Sequence, residues 1–134
     1  MRVLVLAFLF ACVSPVEPSR RIVPPPAWKQ AADWVWEHCA SKVRERPIVS
    51  FNRIQFYAVD GEVVKARGER WVGYWIEDRI YLTLPALADP KLLVVKHELL
   101  HAMTGMAHSA DWYQRPGTLF WDCWVKAEGE HGGT

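Results

Sequence analysis

The sequence predicts an α+β domain: an N-terminal helix, a short antiparallel sheet and a second helix carrying the motif HELLH. Three observations lead there. Apolar residues recur at helical spacing from Ala27 to about Glu45. Between Ile48 and Leu84, β-branched and aromatic runs are punctuated by turn signals. Helix-start and helix-stop residues then bracket Pro90 to Thr104. A chain of 134 residues can bury one modest core, and 51% hydrophobic content with eight tryptophans argues for a folded globule. The net charge is +1 with both signs interspersed, so no basic stripe or acidic tail marks nucleic acid as a partner.

The chain opens MRVLVLAFLFAC, one Arg followed by an apolar run. That run is shorter than the roughly 20 residues a membrane-spanning helix needs, so residues 1–11 read as a secretory signal. Leu9-Phe10-Ala11-Cys12 resembles the lipobox of bacterial lipoproteins, although Phe10 is bulkier than that motif usually carries. The resemblance implies cleavage before Cys12, lipidation of Cys12 and attachment to a membrane through it, in the bacterial periplasm or at the cell surface. An ordinary cleaved signal or an uncleaved anchor is the alternative. Next, VSPVEPSRRIVPPP holds five prolines in fourteen residues. This reads as a stiff tether over residues 12–26, leaving 27–134 as the domain. Outside the cytoplasm, with Cys12 assigned to lipid, Cys39 and Cys123 are expected to pair as a disulfide; two separately buried thiols are the alternative.

In the first helix, Trp28, Ala31, Ala32, Val35, Cys39 and Val43 share one face, and Pro47 stops the run. His38 reads as a surface or interfacial residue. The run IVSFNRIQFYAV, the turn signal Asp60-Gly61 and EVVKA predict one hairpin. A second follows in RWVGYWIEDRIYLTL, with Glu77-Asp78 at the turn. For the next helix, Asp89 suits the N-cap, Pro90 the first position and Gly105 the left-handed residue past the end.

Within that helix His97 and His101 are four apart, so both imidazoles leave the same face and can converge on one ion. Glu98 lies about 100° further round, beside the pair rather than between them. His108 follows Gly105, and a chain turning back there can supply a third neutral nitrogen and leave a fourth position for water. Asp111 is the alternative third ligand and Glu128 a more distant one. Zn²⁺ suits this donor set, although imidazole also binds other first-row ions.

Over about Arg79 to His108, and more loosely to Cys123, the sequence resembles zincin-type HExxH metallopeptidases, in particular small bacterial lipoprotein-like members. The resemblance rests on RIYLTL, VVKHELLHAMTG and the histidine that follows. It implies a small zincin-like fold and an extracytoplasmic peptidase that hydrolyses peptide bonds with a zinc-activated water. His97, His101 and His108 would be the ligands and Glu98 the general base. By analogy Ile80 to Leu84 would be the strand edge that pairs with extended peptide or protein substrate. The chain departs from the metzincin pattern, because Gly105 and His108 each fall one residue later and no Met-turn follows. Tyr113, Arg115 and His131 are the available oxyanion donors, although each reads first as a surface residue. Asp111 and Asp122 are the available partners for ligand imidazoles. Trp112, Tyr113, Phe120, Trp121 and Trp124 read as a cover over sheet and helix in preference to a substrate pocket. The tail EGEHGGT reads as frayed. A non-catalytic lipoprotein, binding metal or a partner on a zincin-like fold, is the second functional reading.

Overall fold

The computed structural model describes residues 19–61, 63–66, 69–107 and 115–132. The signal-like segment, Cys12, His108, Asp111, Trp112 and Tyr113 lie outside them. The elements run β1 (Ser19–Ile22), α1 (Pro26–His38), β2 (Gln55–Val59), β3 (Val64–Ala66), β4 (Glu69–Trp71), β5 (Gly73–Ile76), β6 (Arg79–Thr83), α2 (Leu84–Ala88), α3 (Leu93–Thr104) and α4 (Leu119–Gly132), with 3₁₀ turns at Ala40–Lys42 and Phe51–Arg53. No helix among the described residues is long and apolar enough to cross a membrane.

The fold is α+β, as expected, but its sheet is mixed rather than antiparallel. Strand order is β1-β2-β6-β5, with β2 and β6 parallel and the outer pairs antiparallel. Both edges of β2 are therefore taken, by β1 and β6. The hairpin expected across Asp60-Gly61 does not form for that reason: Gly61 turns the chain at φ 106°, and β3 pairs with β4 instead. β1 lies inside the segment read as a tether, so Ser19–Ile22 of that segment is part of the sheet. It is bound by register, Ser19 opposite Val59 and Ile22 opposite Phe56.

Period-two alternation sorts the sheet into two faces. Phe56, Ile80 and Leu82 point toward the helices and pack with Trp28, Val35, Val95, Leu99, Leu100 and Phe120. Val59 and Tyr81 point the other way, against Tyr57, Trp71, Tyr74 and Ile76. The second hairpin forms as expected at Glu77-Asp78, and its register pairs Ile80 with Trp75 and Leu82 with Gly73. Cross-strand partners share a face, so Gly73 and Trp75 look toward α3 while Tyr74 and Ile76 look away.

α1 ends at His38, short of Glu45. Cys39 leaves the helical region at φ −131° and opens a 3₁₀ turn, and Val43, matched to the helical face by spacing, is exposed. Cys39 and Cys123 are joined in a disulfide, with Cα atoms 5.8 Å apart, which ties the end of α1 to α4. A link closing a loop of 84 residues constrains the unfolded chain and typically stabilises by about 2–4 kcal/mol. α4 itself was missed: the tail expected to fray is helical to Gly132.

Candidate metal centre

α3 begins at Leu93, three residues after the proline expected to open it. Leu92 sits in the left-handed region at φ 54°, which breaks the chain direction there. Asp89 still caps, its carboxylate accepting the amides of Lys91 at 3.0 Å and Leu93 at 2.9 Å. At the other end all four terminal carbonyls have donors. Gly105 N–H donates to His101 O at 2.8 Å, Val49 N–H to Ala102 O at 3.3 Å and Ile48 N–H to Met103 O at 2.7 Å. Arg44 Nε donates to Thr104 O at 2.9 Å. A helix end closed this fully does not fray, so the histidines near it keep fixed positions.

His97 and His101 are held by different contacts on the same face. His101 is 6% exposed, and its ring lies parallel to Trp75, 5.3 Å between centroids and 2° between planes, with Phe120 at 4.4 Å. Its Nδ1 is 2.7 Å from the Met106 carbonyl oxygen. A carbonyl only accepts, so the proton sits on Nδ1 and Nε2 presents a lone pair. That Nε2 stands 3.2 Å from His97 Nε2. Two nitrogens on tetrahedral arms of about 2.0–2.1 Å would be about 3.3 Å apart, so the pair fits two corners of a zinc site. His97 itself packs edge-on to His101 and near Phe120 and Trp124.

Glu98 lines the same cavity of about 520 Å³ as both histidines. The carboxylic residue is buried, and burial alone pushes its pKa up to about 8 in the metal-free site, because the charged form loses its water. A dication held beside it would favour the carboxylate and oppose that shift.

The opposite wall is β5, and here the expected substrate-facing edge moves. β6 is an inner strand, between β2 and β5, so Ile80 to Thr83 have no open edge, and Leu84 already belongs to α2. β5 is the end strand beside α3. Gly73 is the residue that lets the two elements close: a Cβ there would lie 2.7 Å from Val94 Cγ1 and 3.2 Å from both Cγ and Oε1 of Glu98. We expect Gly73→Ala to cost about 1–3 kcal/mol by overpacking and to shift Glu98, read as a lower denaturant midpoint together with a changed metal affinity. A glycine inside a strand signals close approach of another group, so Gly73 was legible in principle, whereas Trp75 and the Met106 carbonyl carry no sequence signal.

Among the described residues no group of three His, Cys, Asp or Glu converges. His108 and Asp111, the candidates for a third ligand, fall outside them. Glu128 does not join the pair; its Oε1 accepts the Trp124 indole N–H at 2.6 Å. Asp122 accepts the Gly117 amide at 2.9 Å and so belongs to the start of α4, not to a ligand imidazole. Arg115 is exposed and absent from the cavity wall. His38 stacks on Trp34 at 4.7 Å, with its Nδ1 3.0 Å from the Trp34 carbonyl oxygen, away from the centre. Of the aromatic group, Phe120 is buried against both imidazoles and Trp124 lines the cavity. No model of a known family, no curated protein and no solved structure matches the chain.

Proposed function

We propose that the protein is an extracytoplasmic zinc-dependent peptidase of the HExxH class, with His97 and His101 as two of the metal ligands and Glu98 as general base. The observation that carries the reading is the pair of Nε2 atoms 3.2 Å apart, one with its tautomer set by a backbone carbonyl, with a buried carboxylic residue on the same cavity wall. A purely structural metal site has no chemical need for that acid. The third ligand is assigned to His108, with Asp111 as alternative.

Zinc held there would polarise a scissile carbonyl and make water acidic enough to attack it near neutral pH. The chain's own residues supply the rest. The Met106 carbonyl holds His101 in the tautomer that presents Nε2, and Trp75 and Phe120 fix the plane of its ring. Glu98, beside the ligands and not among them, takes a proton from the attacking water on its carboxylate and delivers it to the leaving amine. Its burial raises proton affinity, which suits a group that must first accept and then return a proton.

β5 supplies the binding edge. The Val72 carbonyl accepts the Thr83 amide at 3.1 Å, and antiparallel pairing alternates, so Val72, Tyr74 and Ile76 bond to β6. Gly73 and Trp75 then turn their N–H and C=O groups outward, next to Glu98 and His101. An extended peptide added along that edge would lay its main chain across the catalytic pair.

Elemental analysis tests the reading at its base. Protein supplied with zinc and desalted should hold about one ion per chain, and His97→Ala or His101→Ala should abolish it; a folded protein that takes up no metal would end the proposal.

A further inference from the structure

The cavity between β5, α3 and α4 has a chemical character that the peptidase reading does not specify. Its wall is built from Trp71, Trp75, Ile76, Val94, Ala107 and Trp124 around the site residues. Among the described residues, apart from His97, His101 and Glu98, the only acidic or basic side chain lining it is Glu77, exposed at the turn after β5, and no Lys or Arg does. A charged substrate side chain packed against Trp75, Val94 and Trp124 would lose its water with no charged partner among those residues, whereas an apolar one loses nothing. The volume of about 520 Å³ exceeds what the attacking water and one peptide group fill, so side-chain room remains beside the reacting bond.

The strand geometry says where such a side chain would come from. A peptide paired with the outward groups of Gly73 and Trp75 sends alternate side chains to the α3 side of the sheet. At Gly73 the α3 side is already filled by Val94 and Glu98, so such a side chain would meet the apolar wall that Trp75 and Trp124 help to form. Resting on the peptidase reading, we propose that this site selects extended peptides carrying a large apolar or aromatic residue next to the cleaved bond, with Trp124 as the residue that determines this specificity.

The test uses the full chain loaded with zinc and a set of eight-residue Ala/Gly peptides, each with Phe, Leu, Asp, Lys or Ala at one central position. Binding to Glu98→Gln is measured by calorimetry, and cleavage by the unaltered protein is followed by mass spectrometry. The Phe and Leu peptides should bind about 10- to 100-fold more tightly than the Asp, Lys and Ala peptides, and be cleaved beside the apolar residue. Trp124→Ala should remove most of that preference, read as a fall in the ratio of Phe-peptide to Ala-peptide affinity. Equal affinity for all five peptides, or preference for Asp or Lys, overturns the specificity. Selective binding without cleavage by the unaltered protein would support the apolar site and sink the peptidase reading, so the two failures are separable.

Discussion

Glu98→Gln is expected to keep the fold and the bound metal while lowering kcat by about 100- to 10,000-fold, the range a positioned general base contributes. The amide has nearly the shape of the carboxylic group and sits in the same tight space between Val94 and Gly73, but it cannot accept the proton of the attacking water. Metal content should be unaffected, since Glu98 lies beside the imidazole pair and not in it. The decisive measurement is turnover and zinc stoichiometry on one preparation. Retained zinc with lost turnover assigns the base; unchanged turnover removes Glu98 from the mechanism, and absence of turnover in both proteins favours a binding module.

The second large effect concerns the metal-free protein. Glu98 is pushed from 4.5 to about 8 by burial. In the folded state it therefore holds its proton up to about pH 8, while in the unfolded chain it releases it near 4.5. The folded state binds more protons between those values, so stability falls as pH rises through that window, by up to about 4–5 kcal/mol once both states are ionised. Urea unfolding of the chelated protein at pH 5, 6.5 and 8 should show this decline. Glu98→Gln should remove most of it, since the amide has no charge to desolvate, and at pH 8 the metal-free variant should be the more stable protein. Zinc should also flatten the slope, because a dication beside the carboxylate offsets the lost water. A slope identical in the unaltered and Gln proteins would show that Glu98 is not held protonated by burial.

These expectations join the site's chemistry to the cost of building it. α3 buries Lys96, Glu98, His101 and Thr104 within one helix, which would be unfavourable without partners. Lys96 lies over the Trp34 ring at 4.7 Å, His101 is bonded to the Met106 carbonyl, and Thr104 Oγ1 donates to the Leu100 carbonyl at 2.6 Å. Glu98 meets the cavity instead. Under the proposed function Glu98 does the chemistry and its neighbours hold it in position.

Much of the centre was legible because it is local. Four-residue spacing on a helix puts His97 and His101 on one face whatever the rest of the chain does, and Asp89 and Gly105 mark helix ends by their own backbone chemistry. The Glu77-Asp78 turn was readable for the same reason, and it brought Trp75 opposite Ile80. Cys39 and Cys123 could be paired because three cysteines, with Cys12 expected to carry lipid and an oxidising address expected, leave one pair.

Long-range pairing was not legible. Which strands flank β2 depends on contacts between distant segments, and β1 came from a proline-rich stretch that local composition assigns to a tether. A shift of one residue in strand register would exchange Trp75 for Tyr74 or Ile76 on the α3 side, yet local composition is nearly indifferent to it. By itself, then, the sequence determined the two imidazoles, the acid beside them and the α+β class, since these follow from helical spacing and short-range preferences. Only the tertiary structure decided that β5, not β6, is the open edge, that Gly73 lets it close on Glu98 and that Trp75 covers His101. Such choices are made by the packing of a whole sheet against a helix.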